Sequence, residues 1–492
     1  MNRGIKSLGV VRWIVLSYLF ISARVDGQQR QATATYRLQA ISPARTVILV
    51  HATVPSDGAV LTMADSRPGD VPEVADAGWP ALVKHLIVTD AQGHSVPAAN
   101  TGPKGWSLAH PVRGLLTLDY QVDYAPIAAR EWPAPRETAF ADADHFVVIG
   151  RSLFITTPAQ RASTVRVALP RGWQAVMPWP SVGGAANTGH VAVPEDLSEN
   201  LVAFMRGAPD VVTAGGFNLK VVPLGHWQPA RNEIRRALGA ELQQLVALIG
   251  FKGRADYLVV LLPQLDHGGE SFRESFALTL DADPSRANLG DWGSTIAHEV
   301  FHYWNGWRLK GADYASTQWF QEGFTEYAAN LSLVSSGLIS PEEFYAKLAS
   351  HVTKYRKLTT PLDAPGTHKG PPLYSGGALV AFTWDTMIRN TTNGQRGIGD
   401  VLRALLRNTR GGARPYAWPD IQAALESVAP EDWAQFQRRY IHGTDPLPTD
   451  DALSRVGLRM SQGTADVLII EPDPAALPAA LKARRGLMRG TR

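Results

Sequence analysis

A short segment near residue 300 combines residues that could bind a metal with one that could move a proton. His298 and His302 lie four residues apart, and Glu299 follows the first histidine directly. Side chains four residues apart on a helix lie one above the other, so two imidazoles could hold one ion. Glu299 would lie about 100° around the helix, where its carboxylate could take a proton from a water activated by the metal. This spacing predicts hydrolytic chemistry at one zinc ion per chain.

The structural alternative is a buried helix with two hydrogen-bonded histidines. Against it, a separate apolar stripe lies on the opposite arc of the same helix and gives the core its own face: Ile296, Ala297, Val300, Phe301 and Trp304. Because packing does not need the histidine face, the pattern favours a metal site.

A third metal ligand is expected from the next helical pattern, since a catalytic zinc site usually has three protein ligands and an open fourth position. Glu322 and Glu326 share a helix face at a spacing of four residues. We expect Glu322 to bind the metal and Glu326 to hydrogen-bond the free ring nitrogen of a histidine ligand. The alternative is a solvated acidic face. Asn305 lies on the histidine face and is expected to be a hydrogen-bond partner rather than a ligand.

Two segments resemble a known family. HEVFHYWN, from His298 to Asn305, and WFQEGFTEY, from Trp319 to Tyr327, are similar to the gluzincin metallopeptidases. Within these, they resemble the M61 family of glycyl-aminopeptidase-like enzymes more than the M1 aminopeptidases. The resemblance extends from about Asp266 to Met460. It implies that Tyr374, in a further family-like segment, donates a hydrogen bond to the oxyanion that forms when water attacks the scissile carbonyl.

The chain departs from the family pattern in the metal-binding region. Nineteen residues separate His302 from Glu322, one more than the usual gluzincin gap, so the usual count would end at Gln321, a poor zinc ligand. We follow the motif rather than the count, because the stretch from Gly306 to Ser316 has a turn-like composition that can absorb an insertion. In addition, Gly376 replaces the lysine that usually follows the tyrosine.

A glycine-containing segment before the metal helix bears on the substrate. It resembles the Gly-Gly-Leu-Glu-His strand that, in the family, lies along the substrate and supplies a carboxylate for its free amine. Aligned on Gly268 and Gly269, the acid position holds Ser271, and Glu270 lies one residue early. A shift of one residue turns a strand side chain to the other face. The resemblance implies an aminopeptidase, but this shift turns the acid away from the expected position unless a local bulge restores it. An endopeptidase, or an ordinary edge strand in place of a substrate strand, is the alternative.

Composition places the chain among ordinary soluble proteins. Its 492 residues suffice for two or three domains, and 48 basic against 45 acidic residues give a net charge of only +3. We expect a peptide or protein substrate and no nucleic-acid partner, because no dense basic face interleaved with aromatic residues occurs. A catalytically silent protein that binds peptide or glycan and keeps the metal is the alternative from another class. The oligomeric state stays open.

The first 27 residues have the pattern of a secretory signal. Arg3, Lys6 and Arg12 precede an apolar run from Trp13 to Ala23. That run is shorter than the roughly 20 apolar residues of a comfortable membrane span, so no stable span is expected after cleavage; an uncleaved anchor is the alternative. The chain has no cysteine, which excludes a disulfide scaffold despite export. A bacterial periplasm is the simplest destination.

The remaining pattern predicts an α+β protein. Residues 28–225 carry short alternating stretches separated by Pro, Gly and Asp, which indicates a β-rich region with antiparallel sheets. From about His226 helical periodicity dominates, and residues 226–450 are expected to form a mainly helical, thermolysin-like catalytic domain. Residues 451–492 are expected to be a loose tail, too short for the PDZ domain that many family members carry.

Overall fold

The structure is a computed structural model in which two compact units, residues 1–209 and 210–492, are distinguished. The predicted boundary at residue 225 is wrong, because the strands at 210–214 and 217–223 pair with the sheet of the second unit. The predicted signal segment lies outside the described residues. The structure describes residues 33–40, 46–65, 76–128, 139–264, 268–280, 284–285, 288–364, 370–463 and 467–489.

The first unit consists mainly of β-strands. Its strands are β1 (Thr33–Ala40), β2 (Val47–Thr62), β3 (Val83–Asp90), β4 (Ala98–Asn100), β5 (Gly105–Asp123), β6 (Ala139–Ala141), β7 (His145–Ile149), β8 (Ala162–Ala168), β9 (Trp173–Val176), β10 (Thr188–Val191) and β11 (Leu201–Arg206). Two short helices accompany them, α1 (Ala125–Ala128) and α2 (Pro194–Ser198). The larger sheet has the order β10-β8-β1-β2-β5-β3 with β4 on β5, and the smaller has the order β6-β7-β11-β9.

Alternating burial explains why these segments form strands. Along β1 every second residue is buried: Ala34, Tyr36, Leu38 and Ala40. Successive strand side chains point to opposite faces, so one face of β1 packs on the core while the other meets solvent. The Tyr36 hydroxyl donates a hydrogen bond of 2.8 Å to the Ile155 carbonyl and so remains paired inside the core.

The second unit begins with a small mixed sheet. Its strands are β12 (Asp210–Ala214), β13 (Phe217–Pro223), β14 (Ala255–Leu261), β15 (Gly268–Ser271) and β16 (Ser275–Thr279), in the spatial order β12-β13-β14-β16-β15. The three inner strands are parallel, and β15 is an antiparallel edge strand. Every residue of β16 is buried, as expected for an inner strand covered on both faces.

Helices make up most of the rest of this unit, so the predicted α+β fold class is confirmed. They are α3 (Arg231–Ile249), α4 (Leu289–Phe301), α5 (Tyr314–Ser335), α6 (Pro341–Tyr355), α7 (Pro371–Thr391), α8 (Ile398–Asn408), α9 (Trp418–Val428), α10 (Trp433–Phe436) and α11 (Thr449–Arg455). Helices α5 and α7 cross at two glycines, because a Cβ on Gly323 would overlap the backbone of Gly377. This close approach brings the first turn of α7 beside the middle of α5.

The described residues between 451 and 489 are folded, so the prediction of a loose tail is wrong. They form the hairpin β17 (Leu458–Gln462) and β18 (Leu468–Pro472), which packs on α6, and the helix α12 (Pro478–Met488). The side chains of Ile470 and Leu487 are buried, and this apolar burial outweighs the basic, alanine-rich composition of the segment. Among the described residues, none of the helices combines the length and the apolar character that a membrane span needs.

Candidate active site

Helix α4 presents the two histidines and Glu299 as their spacing predicts. The apolar stripe of this helix is buried, and Ile296, Val300 and Phe301 are at most 1% exposed. His298 and His302 are also largely buried, on a different arc of the helix surface. Core packing of the stripe therefore fixes the rotation of the helix and the direction of the histidine face.

The orientation of His302 depends on an irregular turn that follows α4. Residues 303–308 leave the α-helical path, with Asn305 at ψ 80° and Gly306 at φ 153°. The Asn305 carbonyl lies 2.9 Å from His302 Nδ1, so that nitrogen donates to it and Nε2 keeps its lone pair for a metal. A Cβ on Gly306 would lie 3.2 Å from the same Nδ1, which leaves little room for a side chain.

Asn305 stabilises this turn through its side chain as well. Its Nδ2 donates to the carbonyls of Phe320 and Gln321 and to the Thr325 hydroxyl, at 3.0–3.2 Å. The structure thus places Asn305 where it links the end of α4 to α5 and orients a histidine. Its side chain packs against α5 and does not point into the cluster of ligand atoms.

Helix α5 contributes two carboxylates at a spacing of one helical turn. Glu322 Oε2 lies 3.3 Å from His298 Nε2 and 3.4 Å from His302 Nε2. Glu326 Oε2 lies 3.2 Å from His298 Nδ1, on the far side of that ring. Gln321, where the usual gap would end, points elsewhere and donates to the Thr317 hydroxyl. The motif therefore locates the acidic ligand position better than the residue count does.

The three inward-facing atoms of His298, His302 and Glu322 fit a single tetrahedral metal ion. Their separations are 3.0, 3.3 and 3.4 Å. Neighbouring ligands of a tetrahedral zinc with bonds of about 2.0–2.1 Å lie roughly 3.3 Å apart. Two imidazole nitrogens and one carboxylate oxygen also match the donor set of catalytic zinc sites. In the part of the chain that the structure describes, this is the group of side chains positioned to hold a metal.

The pKa values in the cluster are set by burial and by the opposite charges of the histidines and the glutamates. Burial lowers the pKa of His298, but hydrogen bonds to Glu322 and Glu326 outweigh it and raise that pKa to about 10. Burial raises the pKa of Glu322, but the charges of His302 and His298 outweigh it and hold that pKa well below its usual value. Metal binding needs neutral imidazoles, so a cation binding here would displace protons.

Glu299 projects beside the cluster, against the edge strand β15. A Cβ on Gly269 would lie 3.3 Å from Glu299 Oε1, so the glycine allows the strand backbone to approach this carboxylate closely. Burial raises the pKa of Glu299, whereas the charges of His302 and His298 lower it to a smaller extent. A carboxylate with a raised pKa is a stronger base and suits proton abstraction near neutral pH.

Tyr374 lies beside His298 and Glu322. It belongs to the first turn of α7, which begins at Pro371 because proline is well tolerated at a helix start. Its ring stacks on His298 at 6.2 Å and 16°, and its hydroxyl hydrogen-bonds Glu322. Burial, and next the charge of Glu322, raise the pKa of Tyr374, so the phenol stays protonated and able to donate.

Sequence reasoning missed a second tyrosine. The Tyr314 hydroxyl, in the first turn of α5, donates to Glu322 Oε1 at 3.4 Å and accepts from Gln318 Nε2 at 3.2 Å. The signal was present, because Tyr314, Gln318, Glu322 and Glu326 recur every four residues and so share one helix face. Burial, and next the charge of Glu322, raise the pKa of Tyr314 to about 12.

The strand β15 directs Glu270 and Ser271 to opposite sides. The charge of Glu270 acts on Tyr314 and contributes to its raised pKa, which places this carboxylate near the metal cluster. Ser271 instead has a buried hydroxyl close to Tyr257, a residue of the core. Of these two residues, Glu270 is therefore the one whose charge reaches Tyr314, a hydrogen-bond partner of Glu322.

Comparison with known proteins points to one family. A model described as M61 glycyl aminopeptidase matches residues 292–365, and a model of the M61 peptidase N-terminal domain matches residues 35–196. In both stretches the chain is similar to the M61 metallopeptidases. The predicted resemblance and the prediction of a zinc metallopeptidase are confirmed. No curated protein matches the chain in sequence.

Solved structures of zinc peptidases share the fold. An aminopeptidase N family protein from Idiomarina loihiensis has 18% identity and a TM-score of 0.68 over 87% of this chain and 79% of its own. An M1 zinc metallopeptidase from Deinococcus radiodurans has 18% identity and a TM-score of 0.52 over 85% of this chain and 95% of its own. A mutant of the latter, bound to a Tyr-Ser-Ala substrate, has a TM-score of 0.53 over the same shares.

Proposed function

We propose that this M61-type metallopeptidase is an aminopeptidase that uses one zinc ion. The observation that carries the proposal is the triangle of His298, His302 and Glu322 donor atoms, with Glu299 following His298 on its helix and Tyr374 stacked on the His298 ring. A zinc ion held there would supply Lewis acidity toward the peptide carbonyl and the attacking water. The side chains around it would hold and move the protons.

Glu299 would act as the general base and then as the proton donor to the leaving amine. Its carboxylate lies beside the cluster and next to β15, the edge along which a peptide could extend. Proton transfer by a positioned carboxylate needs both proximity and a suitable pKa, and burial provides the second by raising the pKa of Glu299.

Tyr374 would donate a hydrogen bond to the oxyanion that develops on the scissile carbonyl. A neutral donor held in a buried site stabilises charge that forms in the transition state more than it stabilises the neutral substrate. The stacking of its ring on His298 and its hydrogen bond to Glu322 hold the hydroxyl at the cluster before substrate binds.

Glu270 would anchor the free amine of the substrate. Its charge raises the pKa of Tyr314, which hydrogen-bonds Glu322, whereas the Ser271 hydroxyl lies close to Tyr257. An anion at this position attracts an N-terminal ammonium. It would thereby fix the distance between the N-terminus of the substrate and the peptide bond that is cleaved. The peptide substrate bound by the mutant of the Deinococcus enzyme is consistent with such a site on this fold.

The test compares cleavage of free and N-acetylated forms of the same peptides. We expect N-acetylation to abolish cleavage, and Glu270→Gln, but not Ser271→Ala, to raise KM for the free peptides. Equal cleavage of both forms would make the enzyme an endopeptidase. If neither form is cleaved while the zinc-loaded protein binds a peptide or a glycan, the protein is a catalytically silent binder.

We further propose that the protein is exported, most simply to a bacterial periplasm. The support is the order of basic residues, apolar run and small residues in positions 1–27. Expression in a bacterial host should yield a periplasmic protein whose N-terminus, determined by mass spectrometry, lies near residue 27. A cytoplasmic protein that keeps this segment would contradict the proposal.

A further inference from the structure

A cavity of about 480 Å³ lies in the second unit, directly beside the metal cluster. Tyr374 and Glu326 line its wall on the side of the metal, and His351, Lys354 and Ser375 line the rest together with Gln318. Helix α6 thus contributes two basic side chains to a space that opens next to the expected position of the scissile bond.

His351, one of the residues that line this cavity, has a ring nitrogen without a hydrogen-bond partner among the described residues. The residue is only 7% exposed, its Nδ1 lies 3.1 Å from the Ser375 hydroxyl, and its Nε2 has no hydrogen-bond partner among the described residues. Glu326 Oε1 is the nearby anion, at 3.6 Å, which is too far for a hydrogen bond. A buried polar atom without a partner is costly, so a ligand atom is a natural partner for it.

The neighbouring Glu326 carboxylate determines which ring nitrogen of His351 carries the proton. Burial lowers the pKa of His351, so the ring is neutral near pH 7 and one nitrogen is protonated. A lone pair on Nε2 would face the Glu326 carboxylate, whereas an N–H there is attracted to it. The Ser375 hydroxyl can donate to Nδ1, which leaves Nε2–H as the unpaired donor beside Glu326, and both residues line the cavity.

Lys354 adds a positive charge to the same space. Its ammonium is near enough to His351 to lower the pKa of that ring further. Among the described residues that line the cavity, Glu326 is the one carboxylate, and it already accepts hydrogen bonds from His298 and Asn330. The cavity therefore offers a cation and a free N–H donor, which together match a carboxylate. Gln318 Oε1, also buried and without a partner among the described residues, could accept a peptide N–H.

We propose that this cavity binds a carboxylate of the peptide substrate. The group is either the side chain of an aspartate or glutamate residue or the C-terminal carboxylate of a short peptide. The inference rests on the proposed peptidase function and adds a substrate class to it. It makes Lys354 and His351 specificity-determining residues.

The test uses matched peptides on the zinc-loaded, full-length protein. One set of pairs differs only by Glu or Gln at one of the first three positions and detects binding of a side-chain carboxylate. A second set differs only by a C-terminal acid or amide and detects binding of the C-terminal carboxylate. We expect wild type to favour the acidic member of one pair by about tenfold or more in kcat/KM, in line with one charge-assisted hydrogen bond. Lys354→Met should abolish this preference, and Lys354→Glu should reverse it toward a lysine-containing peptide.

A matched control is available on the same surface. Arg356 is exposed, two residues after Lys354, and does not line the cavity, so Arg356→Met should keep the wild-type preference. Peptide cleavage without any discrimination in the Glu/Gln and acid/amide pairs, or a preference that survives Lys354→Met, would overturn the proposal.

A binding measurement separates this proposal from the proposed function. Dissociation constants of the same peptide pairs are measured by calorimetry with the Glu299→Gln variant, in which turnover is removed. One outcome is that wild type cleaves no peptide, whereas the acidic peptides still bind more tightly than their neutral partners. In that case the peptidase function fails and the carboxylate site stands. If peptides are cleaved but both members of every pair bind equally, the carboxylate site fails alone.

Discussion

At the residue scale, function is concentrated in the spacing of a few side chains on two helices. His298 and His302 are brought together by one helical turn, and Glu322 and Glu326 by another, so each pair can be predicted from sequence alone. Joining the pairs takes tertiary structure. The carbonyl of Asn305 and the carboxylate of Glu326 each hold one histidine ring so that both Nε2 atoms point to the same place.

The role of Glu299 is tested by Glu299→Gln. The substitution keeps shape and volume but removes the base, so kcat should fall by about 10²–10⁴-fold. Zinc content, measured by mass spectrometry of the native protein, and thermal unfolding should stay close to wild type, because Glu299 is not one of the three ligand residues. Unchanged turnover in this variant would exclude Glu299 as the base.

The role of Tyr374 is tested by Tyr374→Phe. Loss of the hydroxyl removes one donor to the oxyanion and should lower kcat by about 10²–10³-fold with little change in KM. Tyr314→Phe is the matched control, since Tyr314 also hydrogen-bonds Glu322 but does so from the first turn of α5. A larger loss of kcat in Tyr314→Phe than in Tyr374→Phe would transfer the oxyanion role to Tyr314.

At the element scale, the crossing of α5 and α7 sets the distance between Tyr374 and the cluster. Gly323→Ala should destabilise the protein by about 1–3 kcal/mol and lower kcat, because its methyl group would overlap the backbone of Gly377 and separate the helices. Gly239→Ala, in α3, is the control. Its Cβ would be 3.7 Å from Val212, an ordinary contact, so unfolding by urea should show equal or slightly greater stability, by about 0.5–1 kcal/mol.

Helix α3 carries a buried acid that predicts a pH dependence of stability. Burial raises the pKa of Glu241 well above its usual value, and neither oxygen has a hydrogen-bond partner among the described residues. The folded state therefore holds this proton more tightly than the unfolded chain. Stability relative to Glu241→Gln is then highest below the unfolded pKa of about 4.3 and falls as the pH rises toward the folded value, by up to about 1.4 kcal/mol per pH unit.

Urea unfolding of wild type and Glu241→Gln between pH 5 and pH 8 measures this difference. The difference in the free energy of unfolding should shift steadily in favour of Glu241→Gln as the pH rises. A difference that stays constant over the range would show that Glu241 has an ordinary pKa in the folded protein.

Local patterns predict elements better than they predict the contacts between elements. The alternation in β1 and the histidine spacing in α4 determine their structures locally, and both are as expected from sequence. The helical start at Pro371 was not predicted, because two prolines and a glycine resemble a loop until packing against α5 is known. The helix at 478–488 was missed for a similar reason, since only its contact with the core shows that Leu487 is buried.

At the scale of the whole molecule, the proposed function depends on one metal ion that joins α4 to α5. Both helices lie within the second unit, and their ligand side chains are largely buried. A ligand that binds only the folded state stabilises it, so removal of the metal should lower the unfolding temperature of this unit.

The most direct test is an anomalous-scattering map recorded at the zinc absorption edge from crystals of the zinc-loaded protein. The account predicts one peak about 2.0–2.2 Å from His298 Nε2, His302 Nε2 and a Glu322 oxygen, and no peak there in His302→Ala crystals prepared in the same way. A map of the wild-type protein with no peak within bonding range of these three side chains would contradict the proposed mechanism as a whole.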